Sequence, residues 1–330
     1  ALSGAGATTV DVDAAVKQID ERLRAVGGAR RITLPLAQAS GAARPTPAQL
    51  QQQIELMAKD WKGSVAGVYV YDLASGKQIA GLNERTAFTA ASTIKVAIML
   101  NAYVNLPKLT DKQQAALKKM IVESDNLRAN DVLAAAAGGS TTESAFEGAE
   151  QMSALMADLG LKNTFLYVPF ESGDFIKLYK VKFKTGPKQG GEAPFTNSSN
   201  TLRTTPLEMA QIYIFLEQCS QGRGVLLEKY GKNLTAARCK EMIDWLKQNG
   251  DYKRMMSGLP KGAEVAHKSG WVPPGVQGDA GIVRSPGGDF VIAIYLYQPG
   301  EKYSDTEVQQ LIGSFARLVY SYYNPVAVSK

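Results

Sequence analysis

Three short motifs, Ser92-Thr93-Ile94-Lys95, Ser124-Asp125-Asn126 and Lys268-Ser269-Gly270, stand in that order along the chain. A serine and a lysine three residues apart at the start of a helix share one face, so the amine can reach the hydroxyl. A serine hydroxyl attacks a carbonyl only when a nearby base takes its proton, and a neutral lysine can be that base without any histidine. Keeping a lysine neutral at pH 7 costs about 4 kcal/mol relative to its value in water. Burial and a second cation supply such a shift, and Lys268 is the natural second cation. A helix N-terminus at Ser92 would add free backbone N–H groups and a favourable dipole where negative charge develops. The chemistry these residues predict is acylation of Ser92.

Taken singly, the residues have ordinary readings: a capping serine at Ser124, an Asx turn at Asp125-Asn126, a solvated lysine at Lys268 and a strand-end glycine at Gly270. All three motifs in this order are expected by chance on the order of once in a thousand chains. The set resembles the signature of the penicillin-recognising serine hydrolases, the class A β-lactamases and penicillin-binding proteins, which is S-x-x-K, S-D-N and K-T-G. That resemblance implies a β-lactam or peptidoglycan-type peptide as substrate, no cofactor and no metal. It also implies roles. Ser124 would relay a proton to the leaving nitrogen and Asn126 would hydrogen-bond the substrate amide. Lys268 and Ser269 would hold the substrate carboxylate, and Gly270 would keep the strand edge open. The backbone N–H groups of Ser92 and Trp271 would form the oxyanion hole.

Further matches extend the resemblance from about Val65 to the C-terminus. Asn130 stands where the family often has an asparagine that braces the loop before the site. Arg203-Thr204-Thr205-Pro206-Leu207-Glu208-Met209-Ala210 resembles a T-T-P helix start, and Ser257-Gly258-Leu259-Pro260-Lys261-Gly262 resembles the approach to the third motif. The pattern departs in three places. No E-x-x-L-N motif, whose glutamate activates the deacylating water in class A enzymes, is present. Glu171 falls near its place but is followed by Ser172-Gly173-Asp174-Phe175; it is either the deacylating base or a surface loop carboxylate. A lysine- and glycine-rich loop, Phe175 to Ser199, has no counterpart and is a candidate lid. Only 32 residues separate Ser92 from Ser124, which implies a reduced helical lobe and a more open cleft.

The bulk properties agree with an enzyme of this kind. The 330 residues, 45% of them hydrophobic, can bury a large core. The formal charge of +6 is dispersed, with no basic stripe for nucleic acid, and a mild positive field suits anionic cell-envelope polymers. The chain begins at Ala1, which reads as a processed or trimmed N-terminus, and no apolar run is long enough to span a membrane. A secreted, periplasmic or envelope-associated monomer is expected. Cys219 and Cys239 either form one disulfide or are two buried thiols on neighbouring helices, and with His267 the only histidine there is no zinc cluster.

Periodicity predicts a short helix from Val10 to Val26, a linker from Ala37 to Pro47, and a helix from Pro47 to Lys59 capped by Thr46. A β-hairpin follows from Val65 to Leu82, turning at Ala74 to Lys77. Helical segments are expected at Ser92–Leu106, Asp111–Val122, Leu127–Ala137, Thr142–Leu159, Pro206–Leu216 and Ala236–Asn249. Strands at Asp279–Arg284 and Phe290–Tyr297 and a helix at Asp305–Tyr323 close the chain. Strands at both ends with helices between imply an α+β, three-layer fold: a mainly antiparallel sheet flanked by helices, plus a helical lobe. The expected boundaries are an arm at 1–45 and a hydrolase domain at 46–330. Within that domain the sheet part is 46–91 and 206–330, and the lobe is 92–205. Three functions fit: a β-lactam hydrolase, a D-Ala peptidase or other amide or ester hydrolase that turns β-lactams over slowly, and a non-catalytic envelope-binding protein.

Overall fold

The structure, a computed structural model, describes residues 9–10, 36–37, 43–61, 64–273, 275–300 and 303–325. Two short strands, β1 (Thr9–Val10) and β2 (Leu36–Ala37), pair antiparallel. Val10 is thus strand where a helix start was expected. The remainder of that helix and residues 38–42 of the linker lie outside the described residues. The helix at Pro47 is as expected and runs to Asp60. Thr46 Oγ1 accepts the Gln49 amide at 3.3 Å and Gln49 Oε1 accepts the Thr46 amide at 2.7 Å, a reciprocal cap.

The hairpin is β3 (Val65–Asp72) and β4 (Lys77–Leu82). Three short strands in the middle of the chain, β5 (Phe88–Thr89), β6 (Phe165–Leu166) and β7 (Leu202–Thr204), form a small sheet in the order β5-β7-β6. Two or three residues are too few for a periodic signal, so the sequence does not announce them. Later strands are β8 (Glu264–Val272), β9 (Val276–Arg284) and β10 (Phe290–Tyr297). The main sheet is antiparallel in the order β4-β3-β10-β9-β8. Pairing of β3 with β10, from Val65 opposite Tyr297 to Asp72 opposite Phe290, brings the two ends of the chain into one sheet. The third motif lies within β8, the edge strand.

Alternation along the central strands divides their side chains between two cores. Ala66, Val68 and Val70 of β3 and Ile292, Ile294 and Leu296 of β10 pack with Leu50 and Ile54 of the first helix. Val308, Ile312, Phe315 and Val319 of the closing helix Asp305–Tyr323 complete that layer. Tyr69, Val291, Ala293 and Tyr295 point to the opposite face. There they meet the helices Lys95–Asn105 and Pro206–Ser220. Gly67 is required by a close approach, since a Cβ there would lie 2.7 Å from the Phe88 ring and 2.8 Å from Pro206. The structure is therefore the helix–sheet–helix α+β fold that the sequence implies.

Several helix ends differ from expectation. The helix from Asp111 ends at Lys118 and continues as a π-helical turn, Lys119–Glu123. The helix from Pro206 extends to Ser220, and the one from Ala236 stops at Leu246, with a further helix Val225–Tyr230 between them. Cys219 and Cys239, on the first and last of these, are fully buried and form a disulfide with a Cα separation of 5.8 Å. Closing a loop of 20 residues stabilises by about 3 kcal/mol in the chain-entropy account. Replacing both cysteines by serine should lower the unfolding free energy by at least about that amount, read as a lower urea midpoint with a steeper slope, because the unfolded chain loses its cross-link and exposes more surface.

Candidate active site

Ser92 sits in a 3-10 turn, Ala91–Ile94, and the α-helix starts only at Lys95. The turn is thus one step ahead of the helix end expected for Ser92. Val96 to Leu100 are completely buried, so this apolar helix is clamped all round and fixes the direction of Lys95. Lys95 Nζ lies 2.9 Å from Ser92 Oγ, 2.7 Å from the Ser124 carbonyl oxygen, 3.3 Å from Ser124 Oγ and 2.7 Å from Asn126 Oδ1. The Phe170 ring covers it, with Nζ 4.7 Å from the ring centroid.

Ser124 reaches this point because the π-turn ends in a left-handed residue: Ser124 has φ 60° and ψ 30°, and its N–H donates to Lys119 O. Asp125 then caps the helix Asn126–Ala136, accepting the Arg128 amide at 2.9 Å, which turns Asn126 inward. Of the five described non-glycine residues with positive φ, three, Ala91, Ser124 and Glu171, lie at this site or next to Ser92. Such backbone strain persists where the surroundings over-determine it, commonly at functional sites.

Lys268, fully buried on β8, lies 3.0 Å from Ser124 Oγ and donates to Ser269 O. Burial pushes Lys95 down to about 7, and the charge of Lys268 adds to that effect while Asp125 and Glu171 oppose it. Burial likewise brings Lys268 down to about 8 against the nearby Asp279 and Asp251 carboxylates. Two amines therefore flank one hydroxyl at Ser124, the first half neutral near pH 7 and the second mostly charged. Gly270 packs directly on the turn that carries Ser92: a Cβ there would lie 2.8 Å from both Ser92 N and Thr93 N. Trp271 follows with its side chain 45% exposed and its indole N–H donating to Tyr303 OH at 3.0 Å. Ser92, Ser124, Asp251, Lys268, Ser269 and Trp271 line a cleft of about 380 Å³.

Glu171 is exposed, yet it is tied to the cluster. Its Oε1 accepts from Asn126 Nδ2 at 2.8 Å, and Asn126 in turn touches Lys95. Asn130 braces the segment by donating to Phe170 O at 2.8 Å and accepting the Phe170 amide at 3.0 Å. All nine residues singled out in the sequence thus fall at one place, Glu171 through a single hydrogen bond. The loop considered as a lid begins as a helix, Gly173–Tyr179, and its later part is pinned to the small sheet. Thr196 Oγ1 donates to Ala87 O, Ser199 N to Thr89 Oγ1, and the Glu192 amide to Arg85 O.

Sequence reasoning missed four contributors. Phe170 had no signal, because an aromatic in a loop acquires its partner only on folding. Asp251, half-buried, and Arg254, buried, form an ion pair in the wall of the cleft beside Ser269. Burial pushes the Asp251 carboxyl up, but Arg254 and hydrogen bonds from Ser269 and the Lys253 amide outweigh it and leave it low. Their i, i+3 opposite charges were the one readable hint. Tyr303 accepts from Trp271 and from Gln277 Nε2 at 2.8 Å and donates to Asp305 at 2.6 Å. His267 is structural: its Nδ1 lies 2.8 Å from Asp279 Oδ1, both residues being buried.

Residues 49–109 and 105–323 match the model of the β-lactamase enzyme family. A solved structure of a PBP-A mutant in an acyl-enzyme complex with penicillin G is 23% identical with a TM-score of 0.61, covering 85% of this chain and 98% of that one. A representative class A β-lactamase from Bacteroides cellulosilyticus is 19% identical with a TM-score of 0.61, covering 85% and 99%. A variant of the last common ancestor of Gram-negative class A β-lactamases is 21% identical with a TM-score of 0.59, covering 83% and 98%. At these identities the likeness is one of fold. No curated protein sequence matches the chain.

Proposed function

Because this chain belongs to the β-lactamase enzyme family, we propose that it is a class A-like serine hydrolase that forms an acyl-enzyme on Ser92 with a β-lactam or a related amide. The observation that carries this reading is the 2.9 Å approach of Lys95 Nζ to Ser92 Oγ by an amine brought down to about 7. Neutral Lys95 takes the Ser92 proton as Oγ attacks the carbonyl carbon. The oxyanion that forms is met by the backbone N–H groups of Ser92 and Trp271. Ser124 Oγ, within 3.3 Å of Lys95 and 3.0 Å of Lys268, passes a proton to the leaving nitrogen, which opens the amide. Asn126 orients the substrate amide. Lys268 and Ser269 hold the substrate carboxylate, with Asp251, itself paired with Arg254, accepting from Ser269.

Glu171, solvent-facing and hydrogen-bonded to Asn126, is the base for the water that removes the acyl group. The Cys219–Cys239 disulfide supports an oxidising compartment outside the cytoplasm.

The test is intact mass after brief exposure to a chromogenic β-lactam, with hydrolysed product counted in parallel. Many turnovers and no trapped adduct are expected of the wild type, and Ser92→Ala should give neither hydrolysed product nor adduct. A persistent adduct would move the assignment to a slowly deacylating peptidase, and no adduct at all to a binding protein. Acylation should also depend on pH. Its rate should rise through about pH 7 as Lys95 loses its proton, and fall above about pH 8 as Lys268 loses its charge. Lys268→Arg, which stays charged, should move the alkaline limb upward in the same stopped-flow assay.

A further inference from the structure

Away from the cleft, the helical lobe holds an apolar cavity of about 340 Å³. Three helices, Lys95–Asn105, Asp111–Lys118 and Asn126–Ala136, wall it. It exists because small residues, Ala102, Ala116, Ala135 and Gly139, face it where larger ones would close the gap. Its floor is apolar, with Leu109 and Val132 among the buried residues. A sealed apolar void of about 150 Å³ already binds a small hydrocarbon in a protein core; this pocket has more than twice that volume and opens to solvent on one side, so a tail can enter while a charged head stays at the mouth.

The rim is cationic. Lys112, Lys119 and Arg128 line it, and its one carboxylate, Asp131, is taken by Arg128 at 2.6 Å. Apolar body and positive mouth together select an anion with a hydrocarbon tail.

The walls also carry the site. Lys119, on the rim, is the residue whose carbonyl accepts the N–H groups of both Ser124 and Asp125, the latter at 3.2 Å. Arg128, whose amide is capped by Asp125, belongs to the helix that begins at Asn126. The geometry points to a second binding site in this cavity, for one amphiphilic carboxylate, whose occupancy braces the Lys119–Asn126 turn and thereby tunes the position of Ser124. The site itself stands independently of the reading of Ser92 as an acylated nucleophile, and only its effect on rate rests on that reading.

The test uses the full chain and decanoate below its micelle concentration. Saturable binding by calorimetry is expected, weaker by fivefold or more for decanol, which lacks the charge. Ala135→Trp, which fills the cavity, should abolish binding. Lys112→Gln with Lys119→Gln, exposed changes that leave the core intact, should weaken it at least fivefold. Bound decanoate should slow hydrogen exchange at residues 119–126 and change acylation at least threefold in wild type only. No saturable binding, or equal binding to the filled and charge-neutralised variants, would overturn the site. Binding with unaltered exchange at 119–126 would overturn the coupling. Slowed exchange in a protein that no β-lactam acylates would leave the cavity site standing and refute the reading of Ser92 instead.

Discussion

Replacing Lys95 by Met should slow acylation of Ser92 by about 10²- to 10⁴-fold while leaving a folded protein. The rate loss follows from removal of the amine 2.9 Å from Ser92 Oγ, for which the described surroundings offer no other base within hydrogen-bond reach. Stability should change little, because two effects oppose each other. Burying an amine whose value falls from its usual range to about 7 disfavours folding at pH 7 by about 4 kcal/mol, and Met removes that cost. Against this, the Ser124 carbonyl and Asn126 Oδ1 lose a donor, at about 1–3 kcal/mol for each buried group left unpaired. The sign is checkable by pH. Folded Lys95 releases its proton near 7 and unfolded lysine near its usual value, so wild-type stability should rise between those limits as the unfolded state gives up its extra proton. Urea midpoints at pH 6 and pH 9 should show a smaller gain in Lys95→Met than in wild type. Acylation by the variant at the wild-type rate would remove Lys95 from the mechanism.

Glu171→Gln should separate the two halves of the reaction. Gln keeps an oxygen to accept from Asn126 Nδ2, so Lys95, Ser124 and Asn126 retain their arrangement and the acyl-enzyme forms at close to the wild-type rate. What is lost is a carboxylate able to take a proton from water, and hydrolysis of the adduct should slow by about 10²- to 10⁴-fold. The adduct, expected to be transient in wild type, should then become the dominant species in the mass spectrum. If the variant still releases product as fast as wild type, the deacylating base is another group, and Lys95 at 2.9 Å from the acylated oxygen is the next to test.

The three motifs, the hairpin and two of the three later strands of the main sheet, and most of the helices were legible in the sequence, whereas β8, the edge strand that carries the third motif, was not. Ser92 and Lys95 are adjacent through local spacing alone, and period-two patterning marked β3 and β10. Helix starts were clearest where chemistry announces them, as at Thr46-Pro47 and Thr205-Pro206. Ends were less so. The helix from Asp111 was expected to run on to Val122, yet after Lys118 it widens into a π-turn in which Lys119 O accepts the Ser124 and Asp125 amides, a bonding pattern that residue periodicity does not distinguish from an α-helix.

Glu171 marks the boundary between the two kinds of information. The sequence by itself determined which groups can do the chemistry, because residue identity and i, i+3 spacing are properties of the chain. Only the tertiary structure decided that Glu171 reaches Asn126, that Cys219 meets Cys239, and that Phe170, Asp251 and Arg254 belong with the site. Each of these depends on segments many residues apart being brought together by burial of a shared core. The same holds for Lys95: its amine comes down to about 7 through its surroundings, chiefly burial and then Lys268, a residue 173 positions away in the chain.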